Sequence, residues 1–319
     1  DPIFKEKKTA EIQNVIDLSY NWKFDSALIE IKSLRDKNQD TLLLDLLTVG
    51  TLFWQYIAAV TVEENNKARD AFTSLVGEIK TRTEETIEKD PDNLKALYLL
   101  GFTEGSQSKF YAIEGDFFKA YRFGVKGYNR LKKNKKIIPK DFDTQFGIGL
   151  YKYYCATLLP RWFQKLSWMV PGIDVDREGG FHRIQLSSKY SLFMKTEAEL
   201  ALAQGQSSYE RQYIKGEELS DKLSKAYHDN MVFAYTHNIA LYYLGLKERI
   251  EGKTEKAIKT FKKIIKTAND KVSFRMRLRK KCFLTPDMKW RLDVPAEHEV
   301  IFSTYRELGK TYFLLKDYE

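Results

Sequence analysis

Apolar residues recur every three or four positions through almost the whole chain, and the breaks between these stretches are short. In FDSALIEIKSL, the residues Phe24, Ala27, Leu28, Ile31 and Leu34 make one stripe, the pattern of a helix that buries one face. The breaks fall at residues 38–40, 90–93, 138–141, 171–174 and 252–254. Short connections between long helices set neighbours antiparallel, so the chain reads as a succession of helix hairpins. Only 7 prolines and 17 glycines in 319 residues argue against a turn-rich β protein, and a hydrophobic content of 43% supplies a large core. The expected fold class is therefore all-α. The length is about two to three times that of a usual single domain, which suits an extended array better than one round globule.

The hairpins repeat. In residues 238–271, Leu241, Leu244 and Gly245 are followed by Gly252 and then by Ala257 and Phe261. Gly245 and Ala257 are small where two helix backbones approach, the larger side chains fill the space between, and Gly252 permits the turn. A second copy has Leu97, Leu100 and Gly101, then Gly115-Asp116-Phe117 and Ala120. Its glycines stand 14 apart instead of 7, so its first helix is longer by about two turns. A third has Tyr305, Leu308, Gly309 and Tyr312, with its turn at Lys316-Asp317-Tyr318, so that the natural polypeptide is expected to continue past Glu319. A degenerate fourth has Trp22, Phe24, Ala27 and Ile31 on an expected second helix.

These residues resemble the tetratricopeptide repeat, whose period is about 34 residues. The clear matches cover roughly a third of the chain. Glu248 stands where the family often has Tyr, and Asn269 where it has Pro. The segment from Gly147 to Leu186 is similar to part of divergent bacterial proteins of this kind. The resemblance implies one continuous solenoid over residues 1–319 that is not an enzyme and binds another protein or peptide. It implies that first helices line the concave side, which makes Tyr98, Phe102, Tyr242, Arg249, Arg306 and Phe313 the candidate partner contacts. The competing reading is a structural subunit of an envelope or filament assembly.

Residues 272–294 break the helical period. Val272, Phe274, Met276 and Leu278 alternate with polar residues, and Met288, Trp290, Leu292 and Val294 do so after Thr285-Pro286-Asp287. The period of two predicts an inserted β-hairpin, with an irregular loop or a short helix as the alternative. Residues 46–62 carry no formal charge but include Thr48, Thr51, Gln55 and Thr61. They are expected to form a buried core helix, because a membrane span needs about 20 apolar residues. The Trp-rich stretch 158–170 is expected to cap the core, with a membrane interface as its alternative. Cys155 and Cys282 have no partners at metal-ligand spacing; spacing leaves a disulfide between them open. The chain starts at Asp1-Pro2, which leaves a removed targeting peptide or a trimmed chain. Export to a periplasm or cell envelope is the expectation, with the cytoplasm as the alternative.

No catalytic motif emerges. His182, His228, His237 and His298 show neither metal spacing nor a nucleophile partner, and the pairs Glu63-Glu64, Glu84-Glu85 and Glu217-Glu218 fall on charged helix faces. No phosphate-binding glycine loop is present, and no metal or other cofactor is expected. Charge is more telling. Residues 117–140 hold nine basic side chains and no acid, and residues 252–281 hold twelve basic and two acidic ones. Those windows carry +9 and +10, so with the total at +9 the rest of the chain carries −10. The expected basic patch is Lys126, Arg130, Lys132, Lys133, Lys135 and Lys136 with Arg275, Arg277, Arg279 and Lys280. Solvated outer helix faces account for it, or else a site for an acidic protein or an anionic membrane surface. Nucleic acid is disfavoured, because no reading motif accompanies the charge.

Overall fold

The computed structural model describes residues 10–37, 40–59, 61–137, 140–159, 172–269 and 297–316. Every regular element among them is a helix, as the periodicity requires. The chain divides into two compact units, residues 1–198 and 199–319, where one continuous array was expected. Residues 272–294, the expected β-hairpin, lie outside the described residues, as do Cys282 and nearly all of the Trp-rich stretch.

The first unit contains α1 (Ala10–Tyr20), α2 (Phe24–Asp36), α3 (Thr41–Ala58), α4 (Val62–Lys89), α5 (Leu94–Glu114), α6 (Phe117–Ile137), α7 (Phe142–Leu158) and α8 (Arg177–Tyr190). It ends inside α9 (Lys195–Ser208). Local chemistry marks the ends. The Asp40 carboxylate accepts from the Leu42 and Leu43 amides, and Thr61 with Glu64 forms a capping box. Asn93, Asp141 and Asp176 cap α5, α7 and α8 in the same way. Gly115 ends α5 at φ 84°, a left-handed conformation that glycine adopts without steric cost. Trp22 does not open a second helix as expected. It sits in the α1–α2 turn at φ 60°, and α2 begins at Phe24.

Each helix from α1 to α7 packs on its successor, and α1, α3, α5 and α7 also pack in order on one another. Helix α3 is the one described helix long and apolar enough to cross a membrane, and 67% of it is buried inside the protein. Its Asp45 is held by Arg35 of α2 at 3.1 Å and by Arg82 of α4. Two glycines bring α7 and α8 together: a Cβ on Gly149 would lie 2.9 Å from the Gly180 carbonyl oxygen, and one on Gly180 2.7 Å from the Tyr153 amide nitrogen. The central glycines thus serve helix packing.

The second unit contains α10 (Tyr213–Ala226), α11 (Met231–Ile250), α12 (Thr254–Asn269) and α13 (Glu297–Lys316). Helix α11 packs on α10, α12 and α13, and α12 on α13. The small residues singled out by their spacing lie at a close approach and a turn here. Gly245 lies against the Phe261 ring, Ala257 and Phe261 are buried, and Gly252 turns the chain at φ 73°. Glu248, at the position where Tyr was expected, is buried and accepts from the Thr260 hydroxyl at 2.7 Å, with Lys256 at 3.2 Å. The facing helix thus supplies a hydroxyl and a cation to this buried carboxylate.

Candidate interaction site

The six candidate contacts divide. Tyr98 is 0% exposed and packs 4.6 Å from Phe102. Burial, followed by the Asp143 and Asp141 carboxylates, keeps its phenol neutral far above the usual range. Tyr242 is buried in the α11–α12–α13 core with Phe261. Both belong to the core and are not contact residues, because α5 and α11 are covered by neighbours on several sides. Phe102 is half-buried, 3.7 Å from where a Gly147 Cβ would stand. Arg249 is half-buried and Arg306 exposed, and both converge on Glu307, at 2.7 and 3.4 Å, joined by Lys310 at 3.0 Å. Glu307 is buried, and three cations around one carboxylate leave the middle of α13 positive. The Phe313 side chain lies outside the described residues. Its neighbours on α13, Tyr305 and Tyr312, are exposed, with the Lys262 ammonium 5.7 Å from the Tyr312 ring.

A second polar centre had no sequence signal. Glu197 accepts from the Tyr20 hydroxyl at 3.3 Å, the Trp54 indole at 3.0 Å and the Lys109 ammonium at 3.2 Å. One carboxylate of α9 thus ties α1, α3 and α5 together. Burial and this carboxylate push the Tyr154 phenol up to about 12. The partners stand 88 to 177 positions away in the chain, beyond the reach of any local pattern.

Among the described residues, no group of three or more His, Cys, Asp or Glu is arranged to hold a metal ion. His182 is exposed, and so is His228, which lies 3.4 Å from Asp229. His237 lies 3.3 Å from the Ser220 hydroxyl and 3.7 Å from Asp221. That trio has the residue types of a hydrolytic triad, but Ser220 is 0% exposed and donates to the Glu217 carbonyl. It packs α10 on α11 and offers no open face to a substrate. Cys155 carries a free thiol that burial pushes up to about 11, which makes it a poor nucleophile.

The α6 half of the basic patch is described, whereas Arg275, Arg277, Arg279 and Lys280 lie outside the described residues. Several of the α6 cations are paired: Arg130 faces Glu104 at 3.8 Å, Lys132 faces Asp174 at 3.8 Å and Lys133 faces Asp92 at 2.9 Å. Arg122, Lys126 and Lys136 make no ion pair among the described residues. Burial, and then the Arg183 and Lys152 cations, pull Lys135 below the usual lysine range, so positive charge is crowded at this end of α6.

Compared with models of protein families, with curated protein sequences and with solved structures, the chain shows no significant match.

Proposed function

We propose that the chain is a non-catalytic helical-hairpin scaffold of tetratricopeptide type that binds another protein or peptide. The observation that carries this reading is the packing order of the first unit, in which α1, α3, α5 and α7 stack in succession while the intervening helices join them. Hairpins that each bury one face on the next are the building principle of solenoids, which expose a long surface to partners. The close contact between Gly245 and Phe261 and the turn at Gly252 support the same reading in the second unit.

The contact surface is placed on α13 and its neighbours, where Arg306 and Tyr305 are exposed beside Arg249. Exposed aromatic and arginine side chains are the types on which binding energy concentrates. A pull-down from bacterial envelope extract compares wild type with Arg306→Glu combined with Tyr305→Ala. A specific protein captured by the wild type and lost by the variant is expected; equal capture counts against this surface. Light scattering on the purified chain separates the competing reading, since a structural subunit assembles with rising concentration and a scaffold stays monomeric.

A further inference from the structure

Helix α6 differs from the rest of the first unit in what it leaves uncovered. Ala120, Tyr128, Leu131 and Asn134 are buried on one side of it, where it packs on α5 and α7. The opposite side carries Phe118 and Tyr121 at 70% and 39% exposure, together with exposed Arg122, Lys126, Lys132 and Lys136, with Gly172 packed on Val125 at its edge. The Arg122 guanidinium lies 5.8 Å from the Phe118 ring, and the Lys126 ammonium 6.0 Å from that of Phe123. Over the whole helix there is no acidic side chain. The acids along its borders, Asp116, Asp92 and Asp174, each already face a lysine of α6.

We propose that this outward face of α6 docks on an anionic lipid bilayer, with Phe118 and Tyr121 entering the headgroup region and Arg122, Lys126 and Lys136 against the lipid phosphates. Charge selects the sign of the partner, because three cations without an ion pair among the described residues, and no acid along about 30 Å of helix, make a positive strip. Shape selects its kind. The exposed rings and cations sit on the outer side of one helix, bordered by Gly172 at Val125, and a fluid surface can follow such a helix where a folded partner needs a matching groove. Exposed aromatic rings flanked by basic side chains are the combination that holds a helix in the plane of a bilayer interface. This goes beyond the scaffold reading and uses a different surface, so a variant that loses one activity keeps the other.

The test is flotation of the full chain with phosphatidylcholine vesicles, with and without phosphatidylglycerol. Wild type is expected to bind only the anionic vesicles and to be released as salt shortens the range of charge interactions. Lys126→Glu with Lys136→Glu should weaken that binding about tenfold or more, since each basic residue near the surface contributes. Phe118→Ala with Tyr121→Ala should weaken it roughly tenfold at unchanged charge, through lost apolar burial. All four positions face solvent, and unchanged melting curves verify that the variants fold. Equal binding to neutral vesicles, or either pair leaving anionic binding unaltered, overturns the proposal. So does absence of vesicle binding, whether Phe118→Ala with Tyr121→Ala then dissolves a dimer, showing that a second copy covers the face, or an acidic protein binds it instead.

Discussion

Glu104 sits at the contact of α5 with α6, wholly buried, and neither carboxylate oxygen has a hydrogen-bond partner among the described residues. Arg130 pairs with it from α6 at 3.8 Å, and the charges of Lys126, Glu84 and Lys80 act on it without an ion pair. Burial outweighs the two α6 cations and raises the group from its ordinary 4.5 to about 7. The folded state therefore holds a proton that the unfolded chain has already released across that window. Stability falls as pH rises between those values and stays lowered above them. Glu104→Gln removes the titration, so between about pH 5 and pH 8 the variant should gain about 1–3 kcal/mol relative to wild type. Denaturant titrations at the two pH values check this; parallel pH profiles for the two proteins would refute it. Nothing in the sequence marks Glu104 as different from the many solvated glutamates, because its burial comes from Gly127 on another helix, 3.4 Å from the Glu104 Cβ by the position a Cβ would take.

At the scale of elements, the glycines show which parts were legible. Spacing singled out Gly101, Gly245, Gly252 and Gly309; the first three lie at a close approach or a turn, whereas Gly309 is exposed with nothing within 4 Å of where its Cβ would stand. Gly127 carries no such pattern, yet a Cβ there would lie 2.7 Å from the Gly101 carbonyl oxygen and 3.1 Å from the Gly105 nitrogen. Those are backbone atoms within a helix and do not yield cheaply, so Gly127→Ala should destabilise by about 2–3 kcal/mol despite its better helix propensity. Gly77, exposed in α4 with nothing within 4 Å, is the matched control: Gly77→Ala should stabilise by up to about 1 kcal/mol. Thermal melts that move both variants in the same direction would count against this packing of α5 on α6. Asp143 makes a similar point. Its carboxylate accepts from the Leu192, Phe193 and Met194 amides at 3.2, 3.0 and 2.8 Å and so holds the turn before α9. Chain order gave no sign of this role, since the bonded amides are about fifty positions away.

At the scale of the whole molecule, the proposed array of hairpins should feel a core defect near its origin more than far away, because in such an array each hairpin contacts few others. Phe72 of α4 packs between Phe53 of α3 and Phe110 of α5 at ring distances of 5.9 and 5.3 Å. Phe72→Ala should lower the protection of α3–α5 amides against hydrogen exchange by about 3–5 kcal/mol and leave α11 and α12 close to wild type. A uniform loss across both units would show one cooperative fold in place of an array. Helix content, most helix starts and the Gly245–Phe261 contact were readable from order alone, because capping and helical period act within one or two turns of the chain. Tyr98 and Tyr242 were misplaced because such a stripe shows that a face is apolar but not how many neighbours will cover the helix. Which α6 cations stay free was likewise decided by tertiary structure, since Glu104, Asp92 and Asp174 reach that helix only after folding. The sequence by itself determined a chain of helix hairpins with two basic strips, one of them at α6. Packing decided that the free part of the strip is Arg122, Lys126 and Lys136 beside exposed aromatic rings, because an ion pair depends on distance in space, which the order of residues does not contain.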